Sequence, residues 1–180
     1  MPKTTPKLSA AGSKLREQIN KTYPARDKAT DGWIGDVRHQ KTKSDHNPDA
    51  KTGIVRALDI DADLAKGVDS WELAEAIRQS AKAGDKRLSY IIHNQKIASA
   101  SLGWVWRPYS GSNPHISHIH VSFKPSGDLD RKPFKIEWPK AKQATTPGAR
   151  NEKHQAELAA IKAEQKALAI RIGKLEAKIK

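Results

Sequence analysis

The segment Ile116–Phe123 constrains this chain more than any other. It alternates strictly, with Ile119, Val121 and Phe123 on one face and His118, His120 and Ser122 on the other. Side chains of a strand point to opposite faces with a period of two, so the pattern predicts a strand with one face on a core and the other lined by imidazoles. A strand of this kind needs pairing neighbours and a layer that covers its apolar side. The neighbours are legible. Ile54–Ile60 reads as a strand, and Leu88–His93 and Lys96–Ser99 read as a hairpin turning at Asn94-Gln95. Trp104–Trp106 reads as a further short strand.

The covering layer is also legible. Leu8, Leu15 and Ile19 have helical spacing, and Pro24 ends that helix. Asp69-Ser70-Trp71-Glu72 has the form of a capping box, Asp69 as N-cap and Glu72 at the third position, opening a helix with Leu73, Ala76, Ile77 and Ala81 that Gly84 closes. The expectation for residues 1–138 is one α+β domain, a small and mostly antiparallel sheet with flanking helices. Residues 21–53 are polar and turn-rich, and a loop of that length in a compact domain is commonly functional. Residues 139–150 have linker composition. In 151–180, Leu158, Ile161, Leu168, Ile172, Leu175 and Ile179 follow heptad steps, with Gln165 in the remaining seam position. This predicts a C-terminal helix that either self-associates into a homo-oligomer or lies back on the domain.

Composition excludes several classes. The 180 residues include no cysteine, which removes disulfide scaffolds, thiolate-bound metals and thiol nucleophiles. No apolar stretch is long enough for a membrane span, and no apolar segment follows the basic N-terminus as a secretory signal would require. The net charge of +13 suits a polyanionic partner. It is spread, however: residues 1–140 carry 24 basic and 16 acidic groups, and no Lys/Arg run exceeds two. No specific nucleic-acid partner is therefore expected.

Two segments carry the chemistry. One is Ser44-Asp45-His46-Asn47-Pro48, followed thirteen residues after His46 by Asp59 in an otherwise apolar strand. The other is His115-Ile116-Ser117-His118-Ile119-His120. Two imidazoles and one carboxylate with an open fourth position are the donor set of a hydrolytic zinc centre. Singly, each residue has a structural explanation: a core histidine, a surface carboxylate, a nonspecific His tract. Asp61 and Asp63 lie near enough to Asp59 to serve in its place. Trp104, Trp106 and Tyr109 suit a peptide groove or the packing of a short strand. Trp33 suits an anchor for the polar loop.

The Ser-x-His, strand-Asp and His-x-His elements resemble the LAS group of zinc peptidases, which includes lysostaphin-type enzymes, D-alanyl-D-alanine metallopeptidases and the penicillin-insensitive murein endopeptidase. About two thirds of the chain, from Leu8 to Phe123, is similar to the peptidase domain of endolysins from phages of actinobacteria. Ser9–Gly12, Arg26–Asp36, Ser44–Pro48, Gly53–Asp61, Tyr90–Ile92 and Trp106–His115 through Phe123 carry that similarity. The resemblance implies a LAS/hedgehog-like fold, one Zn2+ per chain, and His46, Asp59 and His120 as its ligands. It implies His118 as the base beside the metal and His115 as an auxiliary acid or oxyanion stabiliser. Ser117 stands where many relatives carry a catalytic Glu. The longer His46–Asp59 spacing implies an inserted loop around Asp49–Thr52. Ser44 and Asp45 are expected to orient ligands, Arg38, Arg56 or His115 to support the oxyanion, and Trp106 and Tyr109 to meet substrate.

The implied function is a phage endolysin, a zinc peptidase acting on the peptidoglycan stem peptide or crosslink. It would accumulate without a signal peptide in the host cytoplasm and reach the cell wall at lysis. Two other readings stand beside it: a metal-dependent nuclease of the HNH kind, from Asp45-His46-Asn47-Pro48, and a noncatalytic wall-binding or structural phage protein.

Overall fold

A computed structural model of the chain describes residues 5–37 and 41–142. Arg38, His39, and the greater part of the expected linker and C-terminal helix lie outside the described residues. Two helices and a five-stranded, antiparallel sheet form an α+β fold. Strand β1 (Lys7–Leu8) leads into helix α1 (Ala10–Thr22). Ser9 caps α1 by accepting from the Gly12 amide, which satisfies one of the unpaired donors at the helix start. Leu15 and Ile19 point inward, as their spacing requires.

The expected strand over 54–60 is divided. Strand β2 (Ile54–Val55) pairs parallel with β1, whereas β3 (Ala57–Asp61) enters the main sheet. The break falls at Arg56, whose guanidinium turns away to Asp128 and Asp49. Helix α2 (Ser70–Lys82) begins at its Asp69 cap, but Asp69 accepts from the Trp71 amide, and Glu72 pairs with Lys142 instead of closing a capping box. Gly84, at φ +113, follows its end where a Cβ would be strained.

Strands β4 (Leu88–His93) and β5 (Lys96–Ser99) form the expected hairpin, with Asn94 and Gln95 both at positive φ. The expected strand at Trp104–Trp106 is displaced. Trp104 is at φ +61 and buried in the core, and the short strand β6 is Arg107–Pro108. The final strand β7 is His118–Phe123. Ile116 falls outside it and is exposed, because His115 at φ +52 turns the chain just before the strand.

The sheet order is β3-β7-β4-β5-β6, with the last strand in the chain, β7, between β3 and β4. Leu58, Ile60, Ile91, Ala98, Ile119, Val121 and Phe123 share a core with α1 and α2. Each buried aliphatic side chain there is worth about 1.5–3 kcal/mol in transfer free energy. Both helices pack into that one core, while Gly32 pairs with Asp59 of β3 and His46 meets Asp59 and His120 on the opposite face. The compact unit continues through Lys142. Pro139 accepts from the Tyr23 hydroxyl, and the Lys142 amide bonds to Gly67, so the start of the expected linker is part of the folded unit. No helix among the described residues is long and apolar enough to cross a membrane.

Candidate metal centre

Cross-strand register builds the site. Asp59 of β3 lies opposite His120 of β7, and Asp61 opposite His118. Side chains of directly paired residues share a face, so Asp59, His118 and His120 rise together from the side away from the helices. His46 joins them from the polar segment. There the Ser44 hydroxyl accepts from the His46 amide, and the Asn47 amide returns to Ser44. The Asp49 carboxylate closes the following loop by accepting from Lys51 and Thr52. That compact turn lies between His46 and Asp59 in the chain.

Three donor groups converge. His46 Nε2 is 3.2 Å from Asp59 Oδ2 and 3.2 Å from His120 Nδ1, and His120 Nδ1 is 2.9 Å from Asp59 Oδ1. Donors about 2.0–2.1 Å from a tetrahedral zinc are about 3.3 Å from one another. The spacing and the donor chemistry, two imidazoles and a carboxylate, therefore fit a divalent metal, and this group could hold one. His46 and His120 are buried, and Asp59 is mostly so.

The electrostatics follow from this crowding. Burial opposes charge on Asp59, but hydrogen bonds from His120 and His46 outweigh it and hold its carboxyl well below the usual range. Burial also opposes charge on His46. Asp59, the Trp33 carbonyl that accepts from its ring, and Asp45 reverse that and raise its pKa. His118 is lowered by burial first and then by its histidine neighbours, against the pull of Asp59. Burial and the neighbouring His120 and His118 bring His115 down to about 4, so it is neutral near pH 7.

The flanking groups sort clearly. His118 Nε2 is 3.8 Å from Asp59 Oδ1, at the edge of the ligand set and outside it. The His115 ring lies 5.0 Å from that of His118 and 5.4 Å from that of His120, and its buried Nδ1 has no hydrogen-bond partner among the described residues. Tyr109 packs edge-on against His115. Trp106 faces elsewhere: its indole N–H donates to Glu75 and its ring lies against Trp71. Arg56 is committed to Asp128, which removes it as an oxyanion group. Asp61 is no second ligand, because both its oxygens accept from Thr30 and the Asp63 amide. Trp33 packs against the core beneath the polar loop, and Gly32 pairs with the Asp59 backbone.

Some contributors are not legible in the sequence. His93 reads there as an ordinary structural histidine. In the fold its Nδ1 is 3.1 Å from the His115 carbonyl and 3.0 Å from that of His118, so its N–H fixes the turn that delivers both imidazoles. Tyr90 stacks on His120 at 5.5 Å, and Ser122 Oγ is 2.9 Å from His120 Nε2. Ser122 belongs to the polar face of β7 in the alternation, but nothing in one sequence pairs it with Tyr90. No protein-family model, curated protein or solved structure matches this chain.

Proposed function

We propose that this chain is a zinc-dependent peptidase of the LAS type that hydrolyses an amide bond in bacterial peptidoglycan, in the manner of a phage endolysin. The observation that carries the reading is the convergence of His46, Asp59 and His120, with two further imidazoles beside them on the same face. His46, Asp59 and His120 would hold the ion, and when bound it supplies Lewis acidity toward a scissile carbonyl and toward water.

The chain's own groups supply the rest. His118, outside the ligand set and biased toward its neutral form, takes a proton from the attacking water and returns it to the leaving amine. His115 stands next to it, neutral, its ring against those of His118 and His120. Tyr109 bounds the same region. The nuclease alternative is disfavoured by origin: the HNH arrangement takes a histidine from a helix, whereas every group here comes from a loop or a strand. The spread positive charge suits an anionic wall, by an attraction that salt weakens.

The test is a digest of purified actinobacterial peptidoglycan, with zinc, with chelator, and with His120→Ala in parallel. New amine and carboxyl ends read by mass spectrometry, zinc-dependent and missing in His120→Ala, are the expected result. Stoichiometric zinc binding without any cleavage would remove the peptidase reading and leave the metal centre.

A further inference from the structure

Strand register carries the face of the metal centre well beyond its histidines. Asp59 on β3 pairs with His120 on β7, His120 with Ile92 on β4, Ile92 with Ile97 on β5, and Ile97 with Arg107 on β6. Directly paired residues share a face, so one row runs across all five strands from Asp59 to Arg107. The neighbours of Arg107 agree with this. Trp106 lies on the helix side, where its indole donates to Glu75 of α2, and strand alternation then sends Arg107 to the other side. Tyr109, two residues on, packs against His115, whose ring meets those of His118 and His120. Arg107 therefore closes the far end of the face that carries the candidate metal centre.

Its surroundings set it apart from other arginines of the fold. Arg26, Arg56, Arg78 and Arg87 each hold a carboxylate. Arg107 is half-buried: its Nε is enclosed while the residue still reaches solvent, and no hydrogen bond or ion pair holds its guanidinium among the described residues. A guanidinium stays charged, and keeping one partly out of water without an anion is unfavourable. Its fork matches a carboxylate, which it grips by two parallel hydrogen bonds. Between it and His120 the row holds only Ile92 and Ile97, apolar side chains that offer no competing charge. Three strand spacings of about 4.8 Å separate the two backbones, about 14 Å in all. That is the length of about four extended residues.

We propose that Arg107 is a specificity-determining residue that binds a carboxylate of the substrate peptide, within about four residues of the amide placed over His46, Asp59 and His120. This rests on the peptidase reading of that site. The face then selects peptides that keep a free carboxylate over the same peptides with that carboxylate amidated, because a carboxamide leaves the guanidinium without its anion.

The test uses the full chain as wild type, Arg107→Gln and Arg107→Lys. Three synthetic stem peptides serve as probes: one with every carboxylate free, one amidated at its terminal carboxyl, and one amidated at its side-chain carboxyls. Affinity is measured by calorimetry in chelator, and KM and kcat with zinc. For wild type, one of the two amidations is expected to weaken binding about 10–100-fold, and it names which carboxylate Arg107 takes. Arg107→Gln should lose the same factor on the free peptide and nothing further on that amide, with the loss in KM and kcat near wild type. Arg107→Lys, which keeps the charge but not the fork, should fall between them. Equal affinity of wild type for all three peptides, or no binding of any, would overturn the proposal. So would an equal loss by Arg107→Gln on all three, which marks a structural role. Binding that follows the expected pattern with no cleavage by zinc-loaded wild type would support the carboxylate site and overturn the peptidase reading beneath it. Should Arg107→Gln fail to fold, Arg107→Lys against the three peptides still decides.

Discussion

Two kinds of buried charge cluster occur in this molecule, and they differ in what completes them. Away from the site, four carboxylates each meet a permanent cation. Glu75 holds Arg78, Asp85 holds Arg87, Asp31 holds Arg26, and Asp128 holds Arg56. On the far face of the sheet, Asp59 is paired only with His46, His118 and His120 among the described residues. A guanidinium is always charged, so the first kind is neutralised on folding and has no further capacity. Imidazoles are neutral near pH 7 unless a proton or a metal joins them. The first kind of cluster holds structure together; the second has lone pairs to offer a ligand.

The sharpest way to break this contrast is to change a group on the far face that lies outside the ligand set. His118→Ala should lower peptidoglycan cleavage by about 10²–10⁴-fold, while zinc stoichiometry and melting temperature stay near wild type. A comparable loss of zinc would show that His118 is a ligand.

Arg56→Ala addresses the other kind. It leaves Asp128 mostly buried and unpaired and separates β2 from its anchor. The expected cost is about 2–3 kcal/mol in denaturant unfolding, with zinc affinity unchanged. A selective fall in zinc affinity would mean that Arg56 serves the site after all.

The smallest effect concerns acid. Hydrogen bonds from Arg78, Trp106 and Gln79 lower the Glu75 pKa from 4.5 to about 2. A depressed carboxyl contributes stability that is fully present above its unfolded pKa and lost as pH falls through the folded one. Glu75→Gln should therefore melt roughly 2–4 °C below wild type at pH 7, and the gap should close between pH 4.5 and 2. A gap that persists at pH 2 would assign the effect to packing against Trp106 rather than to charge.

Much of the fold is legible in the sequence. The alternation over β7 announces both its core face and its imidazole face, because strand geometry is a local, period-two property. Asp69 marks a helix start, because capping involves groups within three residues. Arg56 and Trp104 depart from their local pattern for the complementary reason. Each sits in a run that looks like strand, and a distant partner draws it out: Asp128 for Arg56, the apolar core for Trp104.

The sequence by itself determined the inventory: two helices, a one-faced sheet, a polar loop holding His46, and a strand presenting His118 and His120. Tertiary structure decided the pairings. It set Asp59 opposite His120, brought His46 within 3.2 Å of both, gave His93 the carbonyls of His115 and His118, and placed Tyr90 beside Ser122. Periodicity repeats along a single segment and can be read there. Register between strands depends on how all of the apolar faces pack together at once, and a one-residue slip would turn every one of these side chains to the other face.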